Sequence, residues 1–351
     1  MQRELWRGES PWFCAVQDTL GWPQGISQSH TIKAGHPCFV RKSKLQHIPY
    51  KRLLTWRIGH NFCMTSSTPI VSSAHQPLLR YARVLSIAGS DSGGGAGIQA
   101  DLKTFSALGC YGMTAITALT AQNTQGVRAI HGVPPDMLRA QIDAVVEDIG
   151  VDAVKIGMLH SPEVVAVVVD AIRRYYLPHV VLDPVMVATS GDRLMAQETV
   201  QVLVRDLFPL ATVVTPNLDE AALLLGRPIP GISALDDAAR ALLALGAPAV
   251  LLKGGHLPGD EVVDVLALSD GTLRHLRSPR IATHNGHGTG CTLSSAIAAQ
   301  LALGHALPEA VALARTYILG AIQAGAAVRT GKGHGPLNHG YAPMVQRVIQ
   351  G

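Results

Sequence analysis

The stretch Val84-Leu85-Ser86-Ile87-Ala88-Gly89-Ser90-Asp91-Ser92-Gly93-Gly94-Gly95-Ala96-Gly97 decides the fold. A short β-rich run ends in a glycine-rich turn, and the residues after it, 98–108, have the spacing of a helix. Outward from there the same alternation continues. It predicts strands over 113–119, 153–156, 180–182, 213–215 and 249–252. Helices are predicted between them over 135–149, 162–175, 199–207, 218–225 and 234–245. A strand pair over 262–268 and 272–276 precedes two last helices, 291–303 and 307 to about 327. Alternating β and α units imply an α/β class fold, a mainly parallel sheet covered by helices on both faces. Ligands in such sheets bind beyond the carboxyl ends of the strands, so the residues that follow each strand are the site candidates.

Composition narrows the options. With 47 % hydrophobic and 15 % charged residues, the chain can bury an extended core and is not disordered throughout. The longest apolar candidate, 241–252, is short and broken by Gly246 and Pro248, so no membrane span is expected. The net charge of +4 is unevenly spread. Residues 1–80 hold ten Lys/Arg against three acids, a net of +7, whereas the remainder holds 19 against 22, a net of −3. A mildly acidic body offers no electrostatic footprint for nucleic acid.

The first 80 residues stand apart in other ways. They carry all four Trp (Trp6, Trp12, Trp22, Trp56), and Cys14, Cys38 and Cys63 are too widely spaced for a CxxC-type zinc site. No helical or strand period runs through them, and no basic region leads into an apolar one as in a secretory signal. We read 1–80 as a basic N-terminal extension that is disordered or lies outside the native start, with Met64 as the expected start and the folded domain over 81–345. Five scattered Cys make no disulfide framework, which points to a reducing cytoplasm.

The strand ends carry the chemistry. Gly89 opens a loop that brings backbone close to a ligand, and Asp101 follows on the next helix. Gly95, Gly97 and Ala100 satisfy the dinucleotide-binding spacing, but the acid expected about twenty residues on is missing; Ala121-Gln122-Asn123-Thr124 stands there instead. Gln122 has a donor and an acceptor side by side and can read the edge of a heteroaromatic ring, or cap a loop. Next come Gly157-Met158-Leu159 and Asp183-Pro184-Val185-Met186. Asp183, and Glu220 beyond Thr215-Pro216-Asn217, are placed to meet Mg²⁺ and phosphate oxygens, although Glu220 also suits the first turn of a helix. Lys253 ends a strand where it would neutralise phosphate or simply be solvated. The strongest signal is Asn285-Gly286-His287-Gly288-Thr289-Gly290-Cys291-Thr292. Its glycines bare successive N–H groups at a helix start, an anion hole for a phosphoryl group. The helix dipole there is expected to favour the Cys291 thiolate. A GxxxxGK spacing is absent, which excludes a P-loop.

Together the run Ser86–Thr104, Ala121-Gln122-Asn123-Thr124, Lys155-Ile156-Gly157-Met158-Leu159, Thr215-Pro216-Asn217, Lys253-Gly254-Gly255-His256 and His287-Gly288-Thr289-Gly290-Cys291-Thr292 resemble the bacterial hydroxymethylpyrimidine/phosphomethylpyrimidine kinases of thiamine biosynthesis. The resemblance covers about 83–343, with Gly333-His334-Gly335-Pro336 near its end, and leaves 1–80 untouched. It implies a ribokinase-like three-layer fold and ATP-dependent phosphorylation of the hydroxymethyl group, then of the monophosphate. By the resemblance, Cys291, Gly288 and Gly290 are catalytic, and Gln122, Gly89, Asp101, Met158 and Val185 bind the pyrimidine. Asn217, Lys253 and Thr289 take the nucleotide phosphates, and Asp183 and Glu220 the Mg²⁺. Ser92-Gly93-Gly94-Gly95 departs from the family's usual Pro-Ser-Gly-Gly loop. Related kinases are commonly dimers, which leaves a homodimer as a candidate assembly. A pyridoxal kinase shares this fold and the Gly-Thr-Gly-Cys turn, and a vitamin-binding sensor without catalysis is the reading from another class.

Overall fold

The computed structural model describes residues 79–186 and 195–350. The expectations for the N-terminal extension and for Met64 lie outside them. A nine-stranded sheet forms the middle layer. Its strands are β2 (Arg83–Asp91), β3 (Tyr111–Asn123), β4 (Gly126–Gly132), β5 (Ala153–Ile156), β6 (Val180–Leu182), β7 (Val213–Val214), β8 (Ala249–Leu252), β9 (Glu261–Leu268) and β10 (Leu273–Pro279). Their order is β10-β9-β8-β7-β6-β5-β2-β3-β4. The six strands from β8 to β3 run parallel, and antiparallel strands close both edges. β1 (Leu79–Tyr81) and β11 (Val348–Gln350) form a separate two-stranded ribbon.

Strand alternation sorts the core into two layers. Leu85, Ile87, Val154 and Ile156 face α2 (Pro135–Asp148), α3 (Pro162–Tyr175), α5 (Leu218–Leu225) and α6 (Leu235–Leu243). Val84, Ala153, Val181 and Leu251 face α1 (Gly97–Ala107), α7 (Thr289–Ala302) and α8 (Leu307–Gly325). The helices therefore cover both faces, as the alternation predicts. Each buried Val or Leu contributes about 1.5–3 kcal/mol of transfer free energy, so this double layer carries most of the fold's stability.

Three local differences from the expected elements appear. β4 was not foreseen. It is an edge strand whose residues are mostly exposed, so it lacks the apolar run that marks a buried strand. Its hairpin with β3 extends β3 to Asn123 and places Gln122 within the strand end. The helix expected over 199–207 is α4 (Gln197–Val202), which widens into a π-turn over Leu203–Leu207.

The chain reverses its direction of travel across the sheet at β2, whose neighbours are β3 on one side and β5 on the other. Such a switch point opens a crevice at the carboxyl end of the sheet, and the glycine-rich turn after β2 lies there.

Candidate active site

A cavity of about 430 Å³ occupies this crevice. Gly89, Gln122, Met158, Val185, Asp183, Asn217, Glu220, Lys253, Gly288, Thr289, Gly290 and Cys291 all line it. Segments 200 residues apart in sequence are thus brought to one place by the parallel sheet. A second cavity of about 330 Å³ adjoins it and shares Asn217, Lys253, Thr289 and Gly290. Its further walls include Ile281, Leu293, Ile318 and Ile322, which give it an apolar side.

α7 begins at the glycine-rich turn. Gly288 is its N-cap at φ +83°, a left-handed conformation that L side chains rarely adopt. A Cβ on Gly288 would also lie 1.9 Å from the carbonyl oxygen of Gly95, so the turn packs directly on the loop after β2. Thr292 N–H donates to the Gly288 carbonyl at 2.9 Å and starts the helical ladder. The amides of the first turn have no intrahelical acceptor and, with the helix dipole, suit an anion.

Charged groups meet opposite this turn. Lys253 Nζ lies 2.7 Å from Asp183 Oδ1, to which the Thr215 hydroxyl donates at 3.1 Å. Burial pushes the Asp183 carboxyl up, but Lys253 and Lys155 outweigh it and hold the group below the usual range. Glu220 is buried, and its carboxylate accepts from Asn217 N–H at 2.8 Å while Asn217 Oδ1 accepts from Glu220 N–H at 2.9 Å. This capping box means that both sequence readings of Glu220 hold at once: it closes the start of α5 and still faces the cavity. Burial raises its pKa to about 7, Lys253 pulling down and Asp183 pushing up.

Two expectations are corrected. The helix start does not make Cys291 a thiolate: burial raises its pKa to about 11, with Lys155 pulling it down and Asp101 and Asp183 pushing it up. Cys291 at neutral pH is a thiol. Asp101, expected at the pyrimidine, does not line the cavity. It is fully buried beneath it, with both carboxylate oxygens 2.9 Å from Lys155 Nζ. Ser86 and Ser295 donate to the same carboxylate at 2.5 and 2.6 Å. Lys155 and Ser86 reach it from the sheet face opposite Ile87 and Ser295 from α7, so Asp101 is bound by the core.

Sequence reasoning also passed over residues that the cavity includes. Lys155 reaches its floor. The signal was a lone cation inside the apolar strand Ala153–Ile156, where a charge must be paired. Asp91 and His287 join its wall, with His287 Nε2 2.9 Å from Asp91 Oδ2. Asp91 also accepts from the amides of Gly93, Gly95 and Ala96, and so shapes the loop after β2.

The family model described as phosphomethylpyrimidine kinase matches residues 91–338. The hydroxymethylpyrimidine/phosphomethylpyrimidine kinase of Rhizobium meliloti is 55 % identical over 259 residues, covering 74 % of this chain and 97 % of that protein. A crystal structure of phosphomethylpyrimidine kinase from Clostridium difficile is 45 % identical with a TM-score of 0.61, covering 68 % of this chain and 99 % of its own. The pyridoxal kinase from Staphylococcus aureus, solved with AMP-PCP and pyridoxal, is 33 % identical with a TM-score of 0.68, covering 77 % and 99 %. A matched segment that contains Gly93–Gly97, the glycine turn at the start of α7 and every cavity residue except Ala88, Gly89 and Ser90 leaves one assignment: the chain belongs to the phosphomethylpyrimidine kinase family.

Proposed function

We propose that the chain transfers a phosphoryl group from ATP to the hydroxymethyl group of 4-amino-5-hydroxymethyl-2-methylpyrimidine, and then to the monophosphate, for thiamine biosynthesis. The observation that carries this is one cavity lined by both the Gln122 amide, which suits a ring edge, and the Gly288–Cys291 turn, whose amides suit a phosphoryl group. The adjoining apolar cavity suits the nucleoside, with its phosphates running past Lys253, Asn217 and Thr289.

Phosphoryl transfer needs positioning and charge stabilisation more than covalent chemistry. The Gly288–Cys291 amides stabilise charge on the transferring group. Lys253 neutralises phosphate oxygens once the nucleotide draws it from Asp183. Met158 and Val185 flank the ring, and Gly89 lets it approach the backbone. The Cys291 thiol orients the substrate hydroxyl; with a pKa near 11 it is a poor ready-made base, and a loose transition state asks for little early deprotonation.

Asp183 and Glu220 fit a magnesium ion. Two carboxylates face one cavity, and Mg²⁺ commonly takes one or two carboxylates together with phosphates and water. Asp183 and Glu220 would hold the ion, directly or through water, and it would supply neutralisation of the phosphate charge. Holding it requires an ionised Glu220. We therefore expect kcat/KM for ATP to fall as pH drops below about 7, and Glu220→Gln to lose that acidic limb together with most activity. The stability effect of the same group runs the other way. Its folded pKa is raised from 4.5, so its contribution is fully present below about pH 4.5 and is lost as pH rises towards 7. Opposite slopes in melting temperature and in activity check the assignment.

The kinase domain is read as 81–345, in a reducing cytoplasm, with a homodimer as the candidate assembly. Cys110 and Cys291 are free thiols, and no helix among the described residues is long and apolar enough to cross a membrane. Removing 1–63 is expected to leave melting temperature and kcat/KM unchanged, since every cavity residue follows Arg83. A tenfold activity loss in the shortened chain would show that the extension contributes to the kinase.

The likeness to a pyridoxal kinase keeps pyridoxal as the second substrate to try. Steady-state kinetics with each alcohol decide: a higher kcat/KM for pyridoxal would overturn the pyrimidine reading.

A further inference from the structure

The His287 ring borders the cavity, yet nothing above gives it a task. Its Nε2 lies 2.9 Å from Asp91 Oδ2 and 3.4 Å from Gln122 Nε2. Asp91 is 3 % exposed. Burial pushes its carboxyl up, but hydrogen bonds from His287, Ala96 and Gly93 hold it below the usual range, so it is a carboxylate and only accepts. His287 Nε2 must then carry the proton, and it has no lone pair left for the Gln122 amide nitrogen. At the other end of the amide, Gln122 Oε1 lies 3.2 Å from Thr120 Oγ1, whose hydroxyl already donates to the Ser90 carbonyl at 2.9 Å. Two acceptors face each other there, as two donors do at His287.

Oxygen and nitrogen of an amide are told apart by their partners, and a half-turn of the Gln122 amide resolves both conflicts. Oε1 then takes a share of the Nε2–H that His287 gives to Asp91, and the amide nitrogen donates to Thr120 Oγ1. One lone pair on Oε1 and one N–H remain for a ligand. We propose that His287, clamped by Asp91, is a positioning residue that fixes the Gln122 amide oxygen on its own side, so that the pocket selects a ring nitrogen flanked by an amino group. The ring nitrogen meets the N–H and the amino group meets Oε1. This rests on the pyrimidine reading above. Gly95 makes the clamp possible, because a Cβ there would lie 2.4 Å from the His287 ring.

Purified full-length enzyme is assayed with 4-amino-5-hydroxymethyl-2-methylpyrimidine and with its analogue lacking the 4-amino group. Wild type is expected to prefer the amino compound by about tenfold or more in kcat/KM, since the analogue leaves Gln122 Oε1 without a donor. His287→Leu frees the amide and should reduce that preference about tenfold through KM, leaving KM for ATP unchanged. His287→Gln, which keeps an N–H donor, should restore much of it. In a Gln122→Leu background, His287→Leu should change the preference no further. Should His287→Leu fold poorly, Asp91→Asn gives the same readout, because His287 can then place its proton on the other nitrogen. An intact preference in the folded variants, or an equal loss with and without Gln122, overturns the inference alone. A wild type that phosphorylates neither alcohol overturns the pyrimidine reading and this inference with it.

Discussion

Gly288→Ala is expected to reduce kcat by at least about 10²-fold, the scale of losing one positioned donor to a developing oxyanion. The residue adopts φ +83°, and a Cβ would sit 1.9 Å from the Gly95 carbonyl oxygen. Neither neighbour can yield, since both are backbone. The turn must lift off the loop after β2, and the amides of 288–291 leave the position proposed for the phosphoryl group. Gly290→Ala is the control. Its Cβ would meet Lys253 Nζ at 3.2 Å, the far end of a flexible side chain that is paired with Asp183 but can shift, so the loss there should be several-fold smaller. Stopped-turnover kinetics on the two variants check the contrast, and equal effects would detach Gly288 from the anion turn.

The second large effect is on stability. Lys155→Met leaves the Asp101 carboxylate buried without its cation, and removing one partner of a buried pair costs about 3–5 kcal/mol. At about 2–4 °C per kcal/mol for a domain of comparable size, the melting temperature should fall by roughly 6–20 °C. Replacing both partners, Lys155→Met with Asp101→Asn, should recover a good part, because no uncompensated charge remains. Asp101→Asn alone should lower the melting temperature more than it raises KM for the pyrimidine. A raised KM at unchanged melting temperature would return Asp101 to the substrate.

These residues also show what a sequence makes legible. The glycine turn that starts α7 was readable because its glycines, Cys291 and the helix that follows are contiguous, so local geometry alone defines it. The three-layer fold was readable from the switching of period between 2 and 3.6. β4 was not, because an exposed edge strand has no apolar period to read. The Asp101–Lys155 pair spans 54 residues and depends on which face of β5 looks at α1, a fact of three-dimensional packing. The Cys291 expectation rested on the dipole alone, whereas burial, which no local pattern reports, is the larger influence. Asp91 stood in the quoted loop but reads there as an ordinary turn acid; only the approach of His287, 196 residues on, gives it a partner.

The central claim is that one cavity brings a pyrimidine hydroxymethyl group to an ATP phosphate at the α7 turn. The most direct measurement incubates the enzyme with 4-amino-5-hydroxymethyl-2-methylpyrimidine and MgATP and follows the products by mass and by phosphorus NMR. The account predicts the monophosphate first and then the pyrophosphate, with one ADP released at each step. ADP release without a phosphorylated pyrimidine, or no turnover while pyridoxal is phosphorylated, would contradict it.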